Sequence, residues 1–453
     1  MTGLHEECGV FGIYDTGGDC ARSTYYGLYA LQHRGEEDCG IATNNDLELS
    51  CYKGVGLVGD VFSESILTEL GGTMAIGHVR YAVSSRKRFE NAQPLTLKYI
   101  KGSLAVAHNG NLINSADLKS EYEYKGAVFH TTTDSEIIAY IIAQARLHCD
   151  SIEESVCQAM KHLKGASSLV VMSSRKLIAA RDPWGFRPLC IGQKGNSIIF
   201  ASETCALDSI EATFVRDVEP GEVVWVYDGI LHSNRDNCSD KTTLCIFEHL
   251  YFARPDSTID GQNVYDARIL AGRFLAHEYP IDADVIIGVP DTGLVAAKGY
   301  SMETGIPYND GFIKNRYIGR TFIKPEQLRR EEAVKIKLNP LRATVSGKRV
   351  VMIDDTIVRG TTTSPTVRLL RDAGAKEIHV LISSPKFIAP CYFGTDIPSK
   401  ELLLASNHTT EEMRDIIGAD SLGFLSLESL SKIAPNSKCG FCDACFTENY
   451  PVS

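Results

Sequence analysis

VVMIDDTIVRGTTT, residues 350–363, decides how the second half of this 453-residue chain folds. Val350, Val351, Met352 and Ile353 form an unbroken apolar run, as in a strand buried on both faces of a parallel sheet. The run ends in two adjacent acids, Asp354 and Asp355, then passes through Thr356, Arg359 and Gly360 into three threonines. Ser364 as a cap, Pro365 in the first turn and Gly374 at the far end predict a helix next. On either side the pattern repeats. Upstream, ADVIIGVP (283–290) is a second buried strand, followed by DTG and a helix reaching Met302; downstream, EIHVLISSP (377–385) begins a third. This rhythm predicts a parallel sheet with helices on its faces.

The loop after residue 353 has a chemistry of its own. A helix N-terminus offers free N–H groups to a phosphate, and Gly360 lets the backbone come close. Thr361, Thr362 and Thr363 add hydroxyl donors. The two acids accept hydrogen bonds from sugar hydroxyls or ligate Mg²⁺ through oxygen. A sugar diol, a phosphate and a metal-bound diphosphate would satisfy all three parts, whereas a plain threonine-rich helix start would explain only the last.

Residues 1–235 read differently, as short strands between glycine turns: CGVFGIY (8–14), AIGHVRYA (75–82), GSLAVAHNG (102–110), KLIAA (176–180) and SIIFASE (197–203). Thr133 with Glu136, and Ser151 with Glu154, predict capping boxes that open two helices. The polar stretch 231–243 places a boundary between domains at 8–235 and 244–453. Gly54, Gly56 and Gly59 match G-x-G-x-x-G, but no βαβ unit surrounds them, so a dinucleotide site is rejected.

Net charge is −11, which argues against nucleic acid and anionic membranes as partners. No run approaches the 18 apolar residues of a membrane span, and the acidic N-terminus is no signal peptide; a cytoplasmic protein is expected. In a reducing compartment the 14 cysteines suit metal ligation, nucleophilic chemistry or core filling better than disulfides. Cys8 is either structural or, if residues 1–7 are a propeptide, a mature N-terminal nucleophile whose own α-amine is the base. Asn109 and Gly110 form either a hairpin turn or an oxyanion hole. Cys439, Cys442 and Cys445, in KCGFCDACF, suit zinc or iron–sulfur but need a fourth ligand.

CGVFGIY, LQHRG, IGHVRYA, AHNGNL and TTDSE, in that order, resemble the glutaminase domain of N-terminal-nucleophile amidotransferases. The resemblance implies a four-layer αββα sandwich over residues 8–230. It makes Cys8 the nucleophile and Asn109 and Gly110 the oxyanion hole. Arg80 and Asp134 would hold the α-carboxylate and α-ammonium of glutamine, with Arg34 supporting the site. Two stretches depart from that pattern. Glu36-Glu37-Asp38-Cys39-Gly40 stands where the family has Gln-Glu or Gln-Asp followed by small residues, and RYAVSSRK (80–87) replaces a small, glycine-containing run.

The 350–363 signature resembles type I phosphoribosyltransferases, which bind phosphoribosyl pyrophosphate (PRPP). That implies Asp354 and Asp355 at the ribose and Mg²⁺, Arg359, Gly360 and Thr361–Thr363 at the 5′-phosphate, and GVPDTG (288–293) as pyrophosphate loop with Thr292 near the metal. Segment 311–330 carries six basic residues and one acid. It resembles the loop that closes over PRPP, with Lys314, Arg316 and Arg320 as pyrophosphate contacts.

Taken together, the halves are similar to glutamine-dependent amidotransferases acting on PRPP, in the iron–sulfur-containing, propeptide-processed branch. This implies 5-phosphoribosylamine synthesis at the start of purine synthesis, inhibition by purine nucleotides, and a homo-oligomer, tetramer or dimer. It also implies a [4Fe–4S] cluster on Cys245, Cys391, Cys442 and Cys445, leaving Cys439 as an extra. Another amidotransferase with a different acceptor, and a regulatory PRPP-binding protein, are the rivals.

Overall fold

The computed structural model describes residues 8–45, 48–81, 89–315, 338–395, 397 and 399–452. The first half contains two antiparallel sheets. One comprises β1 (Gly9–Tyr14), β2 (Asp38–Asn45), β3 (Glu48–Val55), β4 (Met74–Arg80), β9 (Cys190–Lys194), β10 (Ser197–Ala201) and β11 (Thr213–Asp217). Its spatial order is β11-β9-β10-β1-β4-β2-β3. The other comprises β5 (Leu95–Tyr99), β6 (Gly102–Leu112), β7 (Gly165–Ser173), β8 (Leu177–Arg181), β12 (Val223–Tyr227) and β13 (Ile230–Asn234), in the order β13-β12-β8-β7-β6-β5.

Alternation along the strands builds the layers, because successive side chains point to opposite faces. Val10, Ile76, Ala105, Ala107 and Val170 face the space between the sheets. Phe11, Ile13, Ala75 and Val79 instead pack under the helix Cys20–Ala30, and Leu104 and Val106 under the helices Asp134–Ala145 and Ile152–Met160. The result is the expected αββα sandwich.

In the second half, strands Val285–Gly288, Arg349–Asp354, Glu377–Ile382 and Ser421–Phe424 form a parallel sheet in that order. Val351 and Ile353 face the helices Val264–Glu278 and Gly293–Thr304, whereas Val350 and Met352 face Thr363–Asp372 and Thr410–Ile417. Burial on both faces explains why the strand shows no polar alternation.

Four local expectations need correction. Asn109-Gly110 is not a turn: β6 runs on to Leu112, pairing Asn109, Gly110 and Asn111 with Ser168, Ser167 and Ala166. The helix at Thr133 starts where expected but without the capping bond; Glu136 accepts instead from the N–H groups of His130 and Thr131. The helix after the threonines begins at Thr363, two residues early, and Ser364 is not its cap. The segment 231–243 opens as strand, since β13 extends to Asn234. Among the described residues no helix is long and apolar enough to cross a membrane.

Candidate active sites

The first candidate site lies where the two sheets of the sandwich meet. Cys8 directly precedes β1, whose Gly9 pairs with Val79 of β4, so the thiol stands beside the end of β4. Its Sγ is 3.9 Å from the carbonyl oxygen of Tyr81, and the residue is part-buried. Asn109, on β6, is fully buried, and among the described residues neither its Nδ2 nor its Oδ1 has a hydrogen-bond partner. A buried amide left unsatisfied is costly unless a ligand completes it.

Gly110, next to it, has φ of +143°, and a Cβ there would lie 2.1 Å from the carbonyl oxygen of Ala166. Only glycine allows this backbone, which distorts β6 just after Asn109. Asp134 begins the helix facing β6, and its Oδ2 accepts from the N–H of Leu112 at 2.7 Å.

Two residues that motif reasoning passed over hold Asn109 in place. His78 of β4 is buried, and its Nε2 lies 2.9 Å from the carbonyl oxygen of His108. Burial drives the His78 pKa down to about 3, so the ring is neutral and its Nε2–H donates. Gln93 Oε1 accepts from the His108 N–H at 2.9 Å. Residue 108, next to Asn109, is thereby fixed at both its N–H and its carbonyl. Neither His78 nor Gln93 sits in a pattern that marks this role in the sequence, so only tertiary pairing exposes it.

Arg80 and Arg34 take different positions. Arg80 ends β4, buried, with its Nε donating to Asp38 Oδ2 at 2.6 Å. Arg34 is wholly enclosed. Its guanidinium donates to Glu203 and, through Nη2, to Glu248 Oε2 at 2.5 Å. Arg187 joins the same cluster, with Nη1 3.3 Å from Glu248 Oε1. Glu203 and Arg187 belong to the first half and Glu248 to the second, so Arg34 ties the two halves together beneath the site. The surrounding cations hold the Glu203 carboxyl far below the usual carboxylate range despite its burial.

The second candidate site sits at the C-terminal ends of the parallel strands, where such sheets bind ligands. Asp354 ends its strand and its Oδ1 accepts from the N–H of Asp355 at 3.0 Å. Asp355 accepts from the hydroxyls of Thr292 and, at 2.6 Å, Thr356. Burial and the adjacent Asp355 raise the pKa of Asp354.

The turn carrying Thr292 packs tightly on this strand end: a Cβ on Gly293 would meet the Ile353 carbonyl oxygen at 2.4 Å. Gly360 has φ of +72°, and the loop it shapes delivers Thr363 to the helix N-terminus with its hydroxyl buried and, among the described residues, without a partner. Arg359 and Thr361 flank Gly360 in sequence, both part-buried, while Thr362 is exposed. Lys314 pairs with Asp291 of the GVPDTG turn. Arg316 and Arg320 lie outside the described residues, as do residues 1–7.

The four cysteines named as cluster ligands come together from distant segments. Strand Thr243–Cys245 pairs in parallel with Gly440–Cys442, placing Cys245 opposite Cys442. The carbonyl oxygen of Cys445 accepts from the N–H groups of Ile388 and Ala389, drawing in the Cys391 segment. Cys245, Cys391, Cys442 and Cys445 line one cavity with Phe186, Phe247 and Tyr450; Cys439 is not among them.

The Cys391 loop abuts the glutaminase half. Asn111 Nδ2 donates to the Tyr392 carbonyl at 2.9 Å, Arg187 Nη2 to that of Phe393 at 2.8 Å, and Phe393 stacks on Phe186 at 4.3 Å between ring centres.

Comparison with known proteins finds relatives for each half. Residues 78–209 match the glutamine amidotransferase domain and residues 262–386 the phosphoribosyl transferase domain. The amidophosphoribosyltransferase of Methanocaldococcus jannaschii is 48% identical, over 98% of this chain and 98% of its own. The chain belongs to the amidophosphoribosyltransferase family.

The Bacillus subtilis amidophosphoribosyltransferase is 47% identical over the whole of this chain and 95% of its own. A solved structure of glutamine PRPP amidotransferase from that organism, in complex with ADP and GMP, superposes with a TM-score of 0.92, covering 98% of each chain at 47% identity. Amidophosphoribosyltransferases thus share with this chain the sandwich, the parallel sheet and their order.

Proposed function

We propose that this chain makes 5-phosphoribosylamine, glutamate and pyrophosphate from PRPP, glutamine and water, the first committed step of purine synthesis. The observation that carries the reading is the buried amide of Asn109, without a hydrogen-bond partner among the described residues, in one chain with Cys8 and the Asp354–Thr363 phosphate cradle.

The Cys8 thiolate attacks the glutamine amide carbon, and the developing oxyanion rests on Asn109 Nδ2 and the Gly110 N–H. The C–N bond breaks and ammonia leaves; its third hydrogen comes from the conjugate acid of the Cys8 amine, which residues 1–7 must vacate. Water then hydrolyses the glutamyl thioester, giving glutamate and restoring the thiol. Arg80 and Asp134 hold the substrate's α-carboxylate and α-ammonium.

In the second half, Asp354 and Asp355 orient the ribose hydroxyls, and Arg359, Gly360 and Thr361–Thr363 fix the 5′-phosphate. Lys314 contacts the pyrophosphate, a role that the resemblance extends to Arg316 and Arg320. Ammonia attacks C1 of the ribose as pyrophosphate departs. It must reach C1 without meeting solvent, because protonation would remove its lone pair.

The oxygen donors of Asp354, Asp355 and Thr292 suit Mg²⁺, which neutralises charge on the departing pyrophosphate. The thiols of Cys245, Cys391, Cys442 and Cys445 line one cavity, a donor set that suits a [4Fe–4S] cluster, with zinc as the second reading. The cluster's contribution would be structural, fastening the chain end and the Cys391 loop to the glutaminase half. Purine nucleotides as inhibitors fit the relative solved with ADP and GMP, and the assembly is read as a homotetramer or homodimer.

The test is glutamate release from glutamine by anaerobically purified protein, with and without PRPP and Mg²⁺. A PRPP-dependent rise matched by pyrophosphate is expected. Absence of the rise in protein whose chain starts at Cys8 would reject the acceptor.

A further inference from the structure

Arg80, read above as the anchor of the glutamine α-carboxylate, already has a carboxylate in its grasp. Asp38 on β2 stands directly opposite it in the antiparallel register. Asp38 Oδ2 accepts from Arg80 Nε at 2.6 Å and lies 2.6 Å from Nη2. Both side chains are enclosed, 2% and 7% exposed. The strand register holds Asp38 there, and the preceding turn allows no retreat, since a Cβ on Gly35 would lie 2.5 Å from the Arg80 carbonyl carbon. Asp38 Oδ1 has no hydrogen-bond partner among the described residues. Position 38 also falls within the stretch where this chain departs from the small residues of its family.

A guanidinium fork matches one carboxylate bidentately. With its Nε edge occupied, Arg80 meets an incoming carboxylate through the remaining Nη hydrogens alone. Two carboxylates would then share one cation in a low-dielectric site, where like charges repel strongly.

We propose that Asp38 is a positioning residue that competes with the glutamine α-carboxylate for Arg80, lowering glutamine affinity and making the site tolerant of amide donors that lack that carboxylate. The proposal rests on the glutaminase reading above and adds a specificity determinant to it.

The experiment compares ammonia release from L-glutamine and from its α-amide, glutaminamide, in the full-length protein with PRPP and Mg²⁺, for the wild type, Asp38→Asn and Asp38→Ser. Wild type is expected to prefer glutamine by no more than about tenfold in kcat/KM, one charge-assisted hydrogen bond's worth. In the variants KM for glutamine falls about tenfold with kcat within twofold, while KM for glutaminamide stays constant. A merely structural residue would move both donors and kcat together.

A wild-type preference for glutamine above about a hundredfold overturns the proposal without reference to any variant. So does a KM for glutamine that is unchanged or raised in the variants. Ammonia release from neither donor, with ammonia-dependent phosphoribosylamine synthesis intact, would overturn the glutaminase reading along with the proposal; the other two outcomes overturn the proposal alone.

Discussion

The two candidate sites are built by opposite means. The glutamine site is assembled from paired antiparallel strands: Cys8 enters β1, Arg80 ends β4, and Asn109 and Gly110 lie within β6. Their positions are set by registers that run the length of each sheet, and His78 ties one sheet to the other. The PRPP site hangs mostly on loops: Asp354 ends a parallel strand, Asp355 through Thr362 follow it and Thr363 opens the next helix, while Lys314 ends the short strand Phe312–Lys314. Strand-built sites hold an unsatisfied group such as the Asn109 amide in readiness, because the sheet resists its collapse onto a partner. In the loop-built site Asp355 is satisfied internally, by Thr292 and Thr356, and must exchange those bonds for substrate, while the Thr363 hydroxyl waits without a partner among the described residues.

The sharpest way to break this comparison is to remove the nucleophile. Cys8→Ala should cost glutamine-dependent synthesis on the order of 10³-fold or more while ammonia-dependent synthesis persists. Loss of both would mean the halves are not separate sites. Gly110→Ala probes the strand-built hole without touching a reacting group. The added Cβ, 2.1 Å from the Ala166 oxygen, must displace β6. Glutaminase kcat should fall roughly 10²-fold, with ammonia-dependent turnover as the control. Asp355→Ala should act the other way round, lowering synthesis from both nitrogen sources by roughly 10–100-fold. An effect restricted to glutamine would contradict the assignment of Asp355 to the PRPP site.

Cys445→Ser addresses the seam between the halves. Bound iron should be lost, and the melting temperature should drop because the Cys391 loop contacts Asn111 and Arg187. Iron retained at wild-type stoichiometry would remove Cys445 from the ligand set.

Much of both sites was legible in the sequence, for different reasons. The PRPP cradle is contiguous, so one strand and one loop displayed Asp354 through Thr363 together. The glutamine residues are scattered over 126 positions from Cys8 to Asp134, and only the ordered set of short motifs revealed them. Pairings across strands stayed hidden. Nothing in EEDCG announces that Asp38 faces Arg80, because the register linking β2 to β4 depends on the whole sheet. Asn-Gly was misleading for a related reason: the dipeptide favours a hairpin turn locally, and tertiary pairing with Ser168 and Ser167 overrides it. Arg34 sits in a motif near the nucleophile, yet its partners Glu203 and Glu248 lie about 170 and 210 residues away.

The finest distinction concerns His78, which supports the strand-built hole by staying uncharged. Its folded pKa of about 3 lies below the ordinary histidine value of 6.5. In that interval the unfolded chain binds a proton that the native chain does not. Stability due to this group is therefore complete above pH 6.5 and is lost as pH falls toward 3. Replacing His78 by Gln, which can still donate to the His108 carbonyl, removes this one linkage. The fall in melting temperature between pH 8 and pH 5 should be smaller in His78→Gln than in wild type, whatever the remaining titrating groups contribute to both. At pH 8 glutaminase activity should be largely kept in His78→Gln and lost in His78→Leu, which cannot donate. Equal losses in the two variants would show that the ring's shape, and not its hydrogen bond, holds Asn109 in place.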